Sequence, residues 1–214
     1  MRSKLDEQLE LLNKELIMIG SLCENAISLS VKALFDGDEK AAEKVPELSS
    51  QVDRKEREIE GMCIRLLLQQ QPVAKDLSSV SAALKMVTDM KRIGDQSADI
   101  AEIITESNIS APGDTLYIHD MAAAVTKMVT DSIDAFVKKD IVIANSVIAY
   151  DDVVDGCFNR IKENLITHLS CGESNGEYAL DLLMIAKYLE RIGDHAVNIA
   201  KWVSFSITGN IESV

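Results

Sequence analysis

The sequence has few aromatic residues and few residues that interrupt helices. Aromatic residues make up only 4% of the 214 positions, and the chain contains three prolines and ten glycines. Hydrophobic residues make up 47%, enough to fill a core, and Leu, Ala, Ile, Lys and Glu are abundant. This composition favours helix over sheet and predicts an all-α fold.

Positive charge is also scarce. Lys and Arg together number 22 against 35 Asp and Glu, which gives a net charge of −13. Because nucleic acids and anionic lipids are bound mainly through Lys and Arg, we expect neither as a partner. The negative electrostatic potential of such a chain attracts cations or basic protein surfaces. The alternative is that the acidity serves only to keep the protein soluble.

Long apolar runs and cysteine pairs are missing too. No apolar run approaches the roughly 18 residues of a membrane span, and the first residues lack the apolar region of a signal peptide. We therefore expect a cytoplasmic protein. No two cysteines form a C-x-x-C pair, which makes a zinc knuckle unlikely. Cys23 and Cys63 fall on apolar stripes, so we expect buried thiols and no disulfide.

One motif is present twice. Residues 89–101 and 188–200 both contain Arg-Ile-Gly-Asp, followed by Ile-Ala at matching places. Asp95 and Asp194 are 99 residues apart, which is close to half of the chain. A long repeat at a fixed offset indicates that one structural unit was used twice.

Apolar residues at alternating spacings of three and four predict three long helices in each half. Gly37 suits the end of the first helix and Asp38 an N-cap, while Pro46 should kink or break the second. Further breaks are predicted at Gln71-Pro72, Lys138-Lys139-Asp140, Cys171 to Gly176 and near Gly209, with a linker from Ser107 to Asp114. The expected architecture is two pseudo-symmetric three-helix bundles of six long antiparallel helices, over residues 1–108 and 114–214.

Acidic residues beside the apolar seam of the second half are the candidate functional residues. Glu190 falls on the seam itself, and Asp194 lies one turn further along the same face. A carboxylate on an apolar stripe is unfavourable unless it is paired or bound to a metal. The fifth helix adds Asp151 and Asp155, and carboxylates from two helices would hold a cation through oxygen ligands. Gly193 should let the neighbouring helix approach closely.

The first half departs from this pattern at one position. Lys91 stands where the second half has Glu190, whereas Asp95 is retained and Asp53 occupies the place of Asp155. Our hypothesis is that the Lys91 ammonium replaces a metal charge by pairing with Asp95 or Asp53. Asp99 is a further first-half carboxylate.

A simpler alternative applies to both halves. Arg92 and Arg191 precede Asp95 and Asp194 by three residues, so each Asp could pair locally or remain solvated, as surface carboxylates commonly do. The histidines are isolated, and His195 is either a surface residue or a peripheral ligand.

The repeated motifs resemble those of a known family. Residues 71–77 read Gln-Pro-Val-Ala-Lys-Asp-Leu, residues 92–95 read Arg-Ile-Gly-Asp, and residues 189–196 read Leu-Glu-Arg-Ile-Gly-Asp-His-Ala. Together with the duplication, they make the chain similar to the PhoU family, the accessory proteins of bacterial phosphate uptake and signalling. The resemblance implies two three-helix bundles and, in some members, multinuclear iron or zinc clusters at Glu/Asp-x-x-x-Asp motifs.

Carried over by position, the resemblance implies a metal site in the second half and a weakened one in the first. The implied second-half ligands are Glu190, Asp194, Asp151 and Asp155, and the first-half candidates are Asp95, Asp99 and Asp53. Lys91 interrupts the first-half motif, so a full cluster is not expected there.

The resemblance also implies a negative regulator that acts by contact and has no catalytic activity. Its implied partners are the ATPase subunit of a phosphate ABC transporter and a membrane histidine kinase, and long apolar stripes suggest a homodimer. One alternative is a metal-dependent hydrolase or oxidoreductase that uses the carboxylates, although the chain has no Gly-rich phosphate loop, Gly-x-Ser-x-Gly or His-Glu-x-x-His motif. Another is a structural helical scaffold without metal.

Overall fold

A computed structural model of the protein describes residues 2–69, 74–107, 109, 117–171 and 175–210. Within these ranges the chain forms six long helices and one single-turn helix, and no strand. In chain order they are α1 (Arg2–Asp36), α2 (Glu39–Ala42), α3 (Val45–Gln69), α4 (Ala74–Ser107), α5 (Ile118–Lys138), α6 (Ile141–Ser170) and α7 (Gly176–Thr208). The prediction of an all-α fold is confirmed.

The helices form two bundles of three long helices. Helices α1, α3 and α4 pack on one another, as do α5, α6 and α7, and the short α2 contacts α1 and α4. The two bundles lie side by side, because α4 packs along α7 and α1 packs along α5. This is the architecture that the sequence repeat predicts.

The break after α1 follows the local sequence. Gly37 adopts a left-handed φ of 64°, and the Asp38 side chain accepts a hydrogen bond from the Ala41 N–H at 3.3 Å, so both predicted roles are confirmed. The predicted second helix is divided into α2 and α3. Pro46 is the second residue of α3, where its missing N–H costs no helical hydrogen bond.

The second bundle repeats this break with different residues. Lys139 takes the left-handed conformation at φ 53°, and its N–H bonds the Phe136 carbonyl at 3.2 Å. Asp140 caps α6 by accepting from the Val142 N–H at 2.8 Å. Helix α7 ends at Thr208 beside Gly209, as predicted. The predicted turn at Gln71-Pro72, most of the predicted linker and residues 172–174 lie outside the described residues.

Each bundle has an apolar core of aliphatic, alanine and methionine side chains. Cys23 and Cys63 are buried as predicted, and all four cysteines are free thiols. The Cys23 thiol donates to the Met90 carbonyl at 3.2 Å. Burial raises the pKa of Cys63 to about 12, so this thiol stays protonated and unreactive at neutral pH.

Among the described helices, one is long and apolar enough in composition to cross a membrane. It is α1, over Lys4–Asp36, whereas the sequence analysis expected no such segment. The apolar residues of α1 contribute to the bundle core, since Leu12, Leu16 and Ile19 are at most 1% exposed. A core helix of a bundle produces the same composition as a membrane span.

Glycines in the two repeated motifs allow close helix packing. A Cβ at Gly193 would lie 3.4 Å from Val154 Cγ1, and one at Gly94 would lie 3.2 Å from Val52 Cγ1. The expected role of Gly193 is therefore confirmed, and Gly94 has the same role in the first bundle. The effect is to bring the third long helix of each bundle close to the second, beside the acidic residues.

Candidate functional site

The second bundle brings four carboxylates together between α6 and α7. Helix α7 supplies Glu190 and Asp194, and α6 supplies Asp151 and Asp155, each pair one turn apart. Burial raises the pKa of Asp151, and repulsion by Asp155, Asp194, Asp152 and Glu190 raises it further. Since charges act on one another only at short range in salt, the four predicted residues form one electrostatic cluster.

The same cluster acts on Asp194. Burial raises the pKa of Asp194, the Glu190 charge adds to this, and Asp155 contributes as well, while Lys187 acts in the opposite direction. The cluster therefore holds more negative charge than its surroundings compensate. Such an excess favours a bound cation or a proton.

Glu190 itself has a local partner that the sequence analysis did not identify. Its carboxylate is 16% exposed and forms an ion pair with Lys187, one turn earlier on α7. The Lys187 ammonium also lies 5.4 Å from the centroid of the Phe158 ring. The spacing of three between Lys187 and Glu190 could have revealed this pair in the sequence.

The first bundle places a cation inside the equivalent cluster. Lys91 Nζ lies 2.8 Å from Asp95 Oδ2 and 3.2 Å from Asp53 Oδ1. The predicted pairing is confirmed, and it involves both carboxylates rather than one. Hydrogen bonding to Asp95 is the main cause that raises the pKa of Lys91, so its ammonium is held in the charged form.

The arginines of the two motifs behave differently. Arg92 Nη1 lies 3.6 Å from Asp95 Oδ2, so local pairing occurs in the first bundle. Arg191 instead lies over the Tyr188 ring at 5.8 Å. Burial raises the pKa of Asp99 in the other bundle, and the Arg191 charge only partly opposes this increase. Local pairing with the motif arginine therefore occurs at Asp95. Among the described ion pairs, none joins Arg191 to Asp194.

A second substitution weakens the first cluster further. Asp53 and Asp155 occupy matching places, and the same offset puts Ser49 where α6 has Asp151. At the four matching places, the first bundle therefore has two carboxylates, a lysine and a serine, whereas the second has four carboxylates. Glu56 adds a carboxylate near Lys91, and burial, followed by the charge of Glu60, raises its pKa. The sequence analysis did not identify the difference between Ser49 and Asp151, although applying the offset between Asp53 and Asp155 to Asp151 would have revealed it.

The chemistry of these donors suits a cation in one bundle only. In the part of the chain that the structure describes, no three His, Cys, Asp or Glu side chains are already arranged to hold a metal ion. The second cluster nevertheless consists of oxygen donors with uncompensated negative charge, which fits a divalent metal. The first does not fit, because the Lys91 ammonium already lies between Asp53 and Asp95.

Asp99 lies apart from the Lys91 ion pairs. It lines a cavity of about 480 Å³ with Glu43, Glu102 and Glu106, between the start of α3 and the second half of α4. Burial and the nearby Glu102 raise its pKa. Its assignment as a metal ligand stays a prediction, like those of the other six acidic residues.

The two bundles also meet through a polar contact that the sequence did not reveal. His195 Nδ1 on α7 lies 2.8 Å from Asp89 Oδ1 on α4, and Asn198 donates to the same oxygen at 3.4 Å. The His195 and Asp89 side chains are only 21% and 16% exposed. His195 therefore joins the two motif helices, rather than being a fully exposed surface residue.

The fold and these motifs define an all-α class of protein, a duplicated three-helix bundle with an Arg-Ile-Gly-Asp motif on the last helix of each copy. Residues 16–104 and 118–203 each match the family model described as the PhoU domain. The chain belongs to the PhoU family, which confirms the resemblance.

Relatives and solved structures match over nearly the whole chain. A protein of Clostridium acetobutylicum named "Phosphate-specific transport system accessory protein PhoU homolog" is 36% identical, with 97% of this chain and 96% of that protein covered. The crystal structure of PhoU from Pseudomonas aeruginosa is similar with a TM-score of 0.89 at 32% identity, covering 96% of this chain and 99% of that one.

A third match comes from a regulatory protein. The crystal structure of the phosphate transport system regulatory protein PhoU from Streptococcus pneumoniae is similar with a TM-score of 0.88 at 25% identity. It covers 97% of this chain and 98% of that chain. The chain and these relatives therefore have nearly the same extent.

Proposed function

We propose that this protein is an accessory and regulatory protein of a phosphate-specific transport system. The observation that carries the proposal is the similarity to proteins that bear this description over nearly the whole chain, for example at 36% identity over 97% of the chain. The duplicated helical fold shared with two PhoU structures at TM-scores of 0.89 and 0.88 supports it.

The protein acts as a negative regulator by contact with other proteins, in the cytoplasm and without catalysing a reaction. Its partners are the ATPase subunit of the phosphate transporter and a phosphate-sensing histidine kinase in the membrane, and it works as a homodimer. A surface with a net charge of −13 supports protein partners over nucleic acid. Exposed apolar side chains such as Leu68 and Leu180 are available for contacts between copies or with partners.

Iron or zinc bound at the second bundle tunes this regulator. Glu190, Asp194, Asp151 and Asp155 would hold the metal, whose positive charge would neutralise the cluster. Lys187, which pairs with Glu190, would release that carboxylate to the cation. Asp95 and Asp53 would remain paired with Lys91, so the first bundle would keep its charge balance without metal. Support comes from burial and then mutual repulsion, which together raise the pKa of Asp151 and Asp194.

The regulatory role can be tested in a bacterial host that lacks its own PhoU-family protein. We expect expression of this chain to lower the uptake of radiolabelled phosphate in phosphate-rich medium toward the rate of the unmodified host. Unchanged uptake in cells that contain the folded protein would contradict the proposal. Recovery of the transporter ATPase with the tagged chain would identify the contact.

The metal contribution is tested in the same host with Glu190→Ala. We expect weaker repression than with the wild-type chain, because the cluster loses one ligand. Glu163→Ala, an exposed carboxylate elsewhere on α6, is the matched control and should repress fully. The enzyme alternative would instead be supported if purified protein with added zinc or iron turned over a phosphate ester, and Glu190→Ala abolished the turnover.

A further inference from the structure

The first bundle has an apolar groove with an acidic rim. The cavity of about 480 Å³ between the start of α3 and the second half of α4 has Pro46, Ala98 and Ala101 on its floor. Its rim carries four carboxylates, from Glu43, Asp99, Glu102 and Glu106. An apolar floor beside charged groups is typical of surfaces that bind a partner's side chains.

The negative charge of the rim is not neutralised locally. Within the described residues, none of the four carboxylates forms an ion pair, and Arg191 acts on Asp99 only from beyond ion-pair distance. The groove also lies at the carboxyl end of α4, whose last turn has no basic residue. Because the carbonyl end of a long helix carries partial negative charge, the helix adds to the field of the carboxylates.

The matching place in the second bundle carries different residues. Lys201 stands at the position of Glu102, and Phe205 stands at the position of Glu106. Phe205 packs edge to face against Trp202, with ring centroids 5.8 Å apart. The acidic groove is therefore a property of the first bundle's own residues and not of the repeated fold.

A neighbouring cavity extends the acidic surface toward the second bundle. It measures about 400 Å³ and shares Glu106 with the first cavity, and α7 adds Glu177 and Asp181 to its lining. The two cavities together follow the end of α4 from α3 to α7. The two cavities share Glu106, and a surface that spans several helices suits a segment of chain better than a compact small molecule.

We propose that this groove is the docking site for a basic amphipathic helix of a protein partner. The apolar side of that helix contacts Pro46, Ala98 and Ala101, and its Lys or Arg side chains pair with Glu43, Glu102 and Glu106. The acidic rim repels the phosphates of nucleic acid and anionic lipid, which selects a protein segment. The proposal rests on the proposed function because a regulator that acts by contact needs a surface of this kind. Peptide binding is measured independently of phosphate uptake, so the two proposals can fail separately.

The test uses labelled peptides of about 18 residues, roughly five helical turns, and the full-length chain. One peptide carries Leu along one helical face and Lys elsewhere, the second has Glu in place of every Lys, and the third has the first composition in scrambled order. Fluorescence anisotropy at about 0.15 M salt should give the first peptide at least about tenfold higher affinity than either control. Equal affinity for the scrambled peptide would mean attraction by charge alone and would overturn the proposal.

Substitutions locate the binding site. Glu102→Lys with Glu106→Lys should lower the affinity for the basic amphipathic peptide at least about tenfold, and the milder Glu102→Gln with Glu106→Gln should give a smaller loss. The matched control is Asp6→Lys with Glu7→Lys, which changes the net charge equally at exposed positions near the start of α1. A similar loss in the control, or no loss in either groove variant, would place the peptide elsewhere and contradict the proposal.

Discussion

The two bundles share a fold and a motif but balance the charge of their carboxylates differently. In the first, Lys91 lies within ion-pair distance of Asp53 and Asp95. In the second, Glu190 stands at the equivalent position, and repulsion among the carboxylates contributes to the raised pKa values of Asp151 and Asp194. The backbone arrangement is common to both, since Gly94 faces Val52 as Gly193 faces Val154.

This difference teaches that a duplicated scaffold can retain its packing while its charged positions diverge. The close glycine contacts are needed in both copies, because they determine how near the second and third long helices lie. The carboxylates are constrained less, because their negative charge can be balanced either by a lysine or by an external cation. A single exchange between Glu and Lys therefore changes the charge of the cluster, while the glycine contacts between its helices are kept.

The largest expected effect comes from filling the glycine contacts. Gly94→Leu should lower the free energy of unfolding by about 2–3 kcal/mol and Gly193→Leu by about 1–2 kcal/mol, because overpacking forces side chains and backbone to move. The first bundle should lose more, since Val52 approaches the added Cβ to 3.2 Å and Val154 only to 3.4 Å. Urea denaturation measures both.

Gly156 provides the matched control for these substitutions. A Cβ at this position of α6 would meet nothing within 4 Å. Gly156→Leu should therefore be neutral or stabilise the protein by up to about 1 kcal/mol, because leucine has a higher helix propensity than glycine. Equal losses at Gly94 and Gly156 would show that the close contacts are not the cause.

A smaller effect is expected from removing the first bundle's internal cation. Lys91→Met keeps the side-chain length but leaves Asp53 and Asp95 without their ammonium partner. We expect a loss of about 1 kcal/mol in the free energy of unfolding at pH 7, since the three side chains are about a third exposed and partly screened. Lys14→Met breaks a mostly exposed pair with Glu10 and should cost less than Lys91→Met. Identical losses would indicate that the Lys91 cluster has no special strength.

The smallest effect concerns the pH dependence of the second cluster. Burial and Glu190 raise the pKa of Asp194, so the folded protein holds this proton more tightly than the unfolded chain does. Asp194 therefore destabilises the metal-free fold at pH 7, and this cost disappears as the pH falls below the unfolded value of about 3.9.

In chelator, Asp194→Asn should consequently raise the free energy of unfolding at pH 7. The gain should be only about 0.3–0.5 kcal/mol, because more than a third of Asp194 remains exposed and its charge is screened. It should vanish near pH 3, where the folded and unfolded states are both protonated. Thermal unfolding across this pH range measures the difference between the two proteins. A variant that is less stable than the wild type at pH 7 without metal would contradict the assigned repulsion.

Periodicity predicted the architecture because each long helix buries a continuous apolar stripe. The spacing of three and four places Leu12, Leu16 and Ile19 on one stripe of α1, and all three are fully buried. The helix end at Gly37 and the cap at Asp38 were also predicted, because backbone conformation and capping depend on residues adjacent in sequence. The interruption near Pro46 was also predicted.

Contacts between the two bundles could not be predicted in the same way. The Asp89 and His195 pair joins residues 106 positions apart, and its formation depends on how α4 and α7 pack together. The groove at Glu102 and Glu106 lies within the first bundle, but it likewise depends on how residues far apart in sequence pack together, here Glu43 and Pro46 against α4. Lys91 was an exception, because the repeat offset aligned it with Glu190 and so suggested its partners.

The most direct test of the difference between the bundles is the metal content of the full-length chain after incubation with zinc or iron and removal of free metal. Elemental analysis should find bound metal in the wild type, none above background in Glu190→Lys, and more in Lys91→Glu than in the wild type. Circular dichroism confirms that each variant remains folded. Metal retained by folded Glu190→Lys, or no additional metal in Lys91→Glu, would contradict the assignment of the cation site to the second bundle.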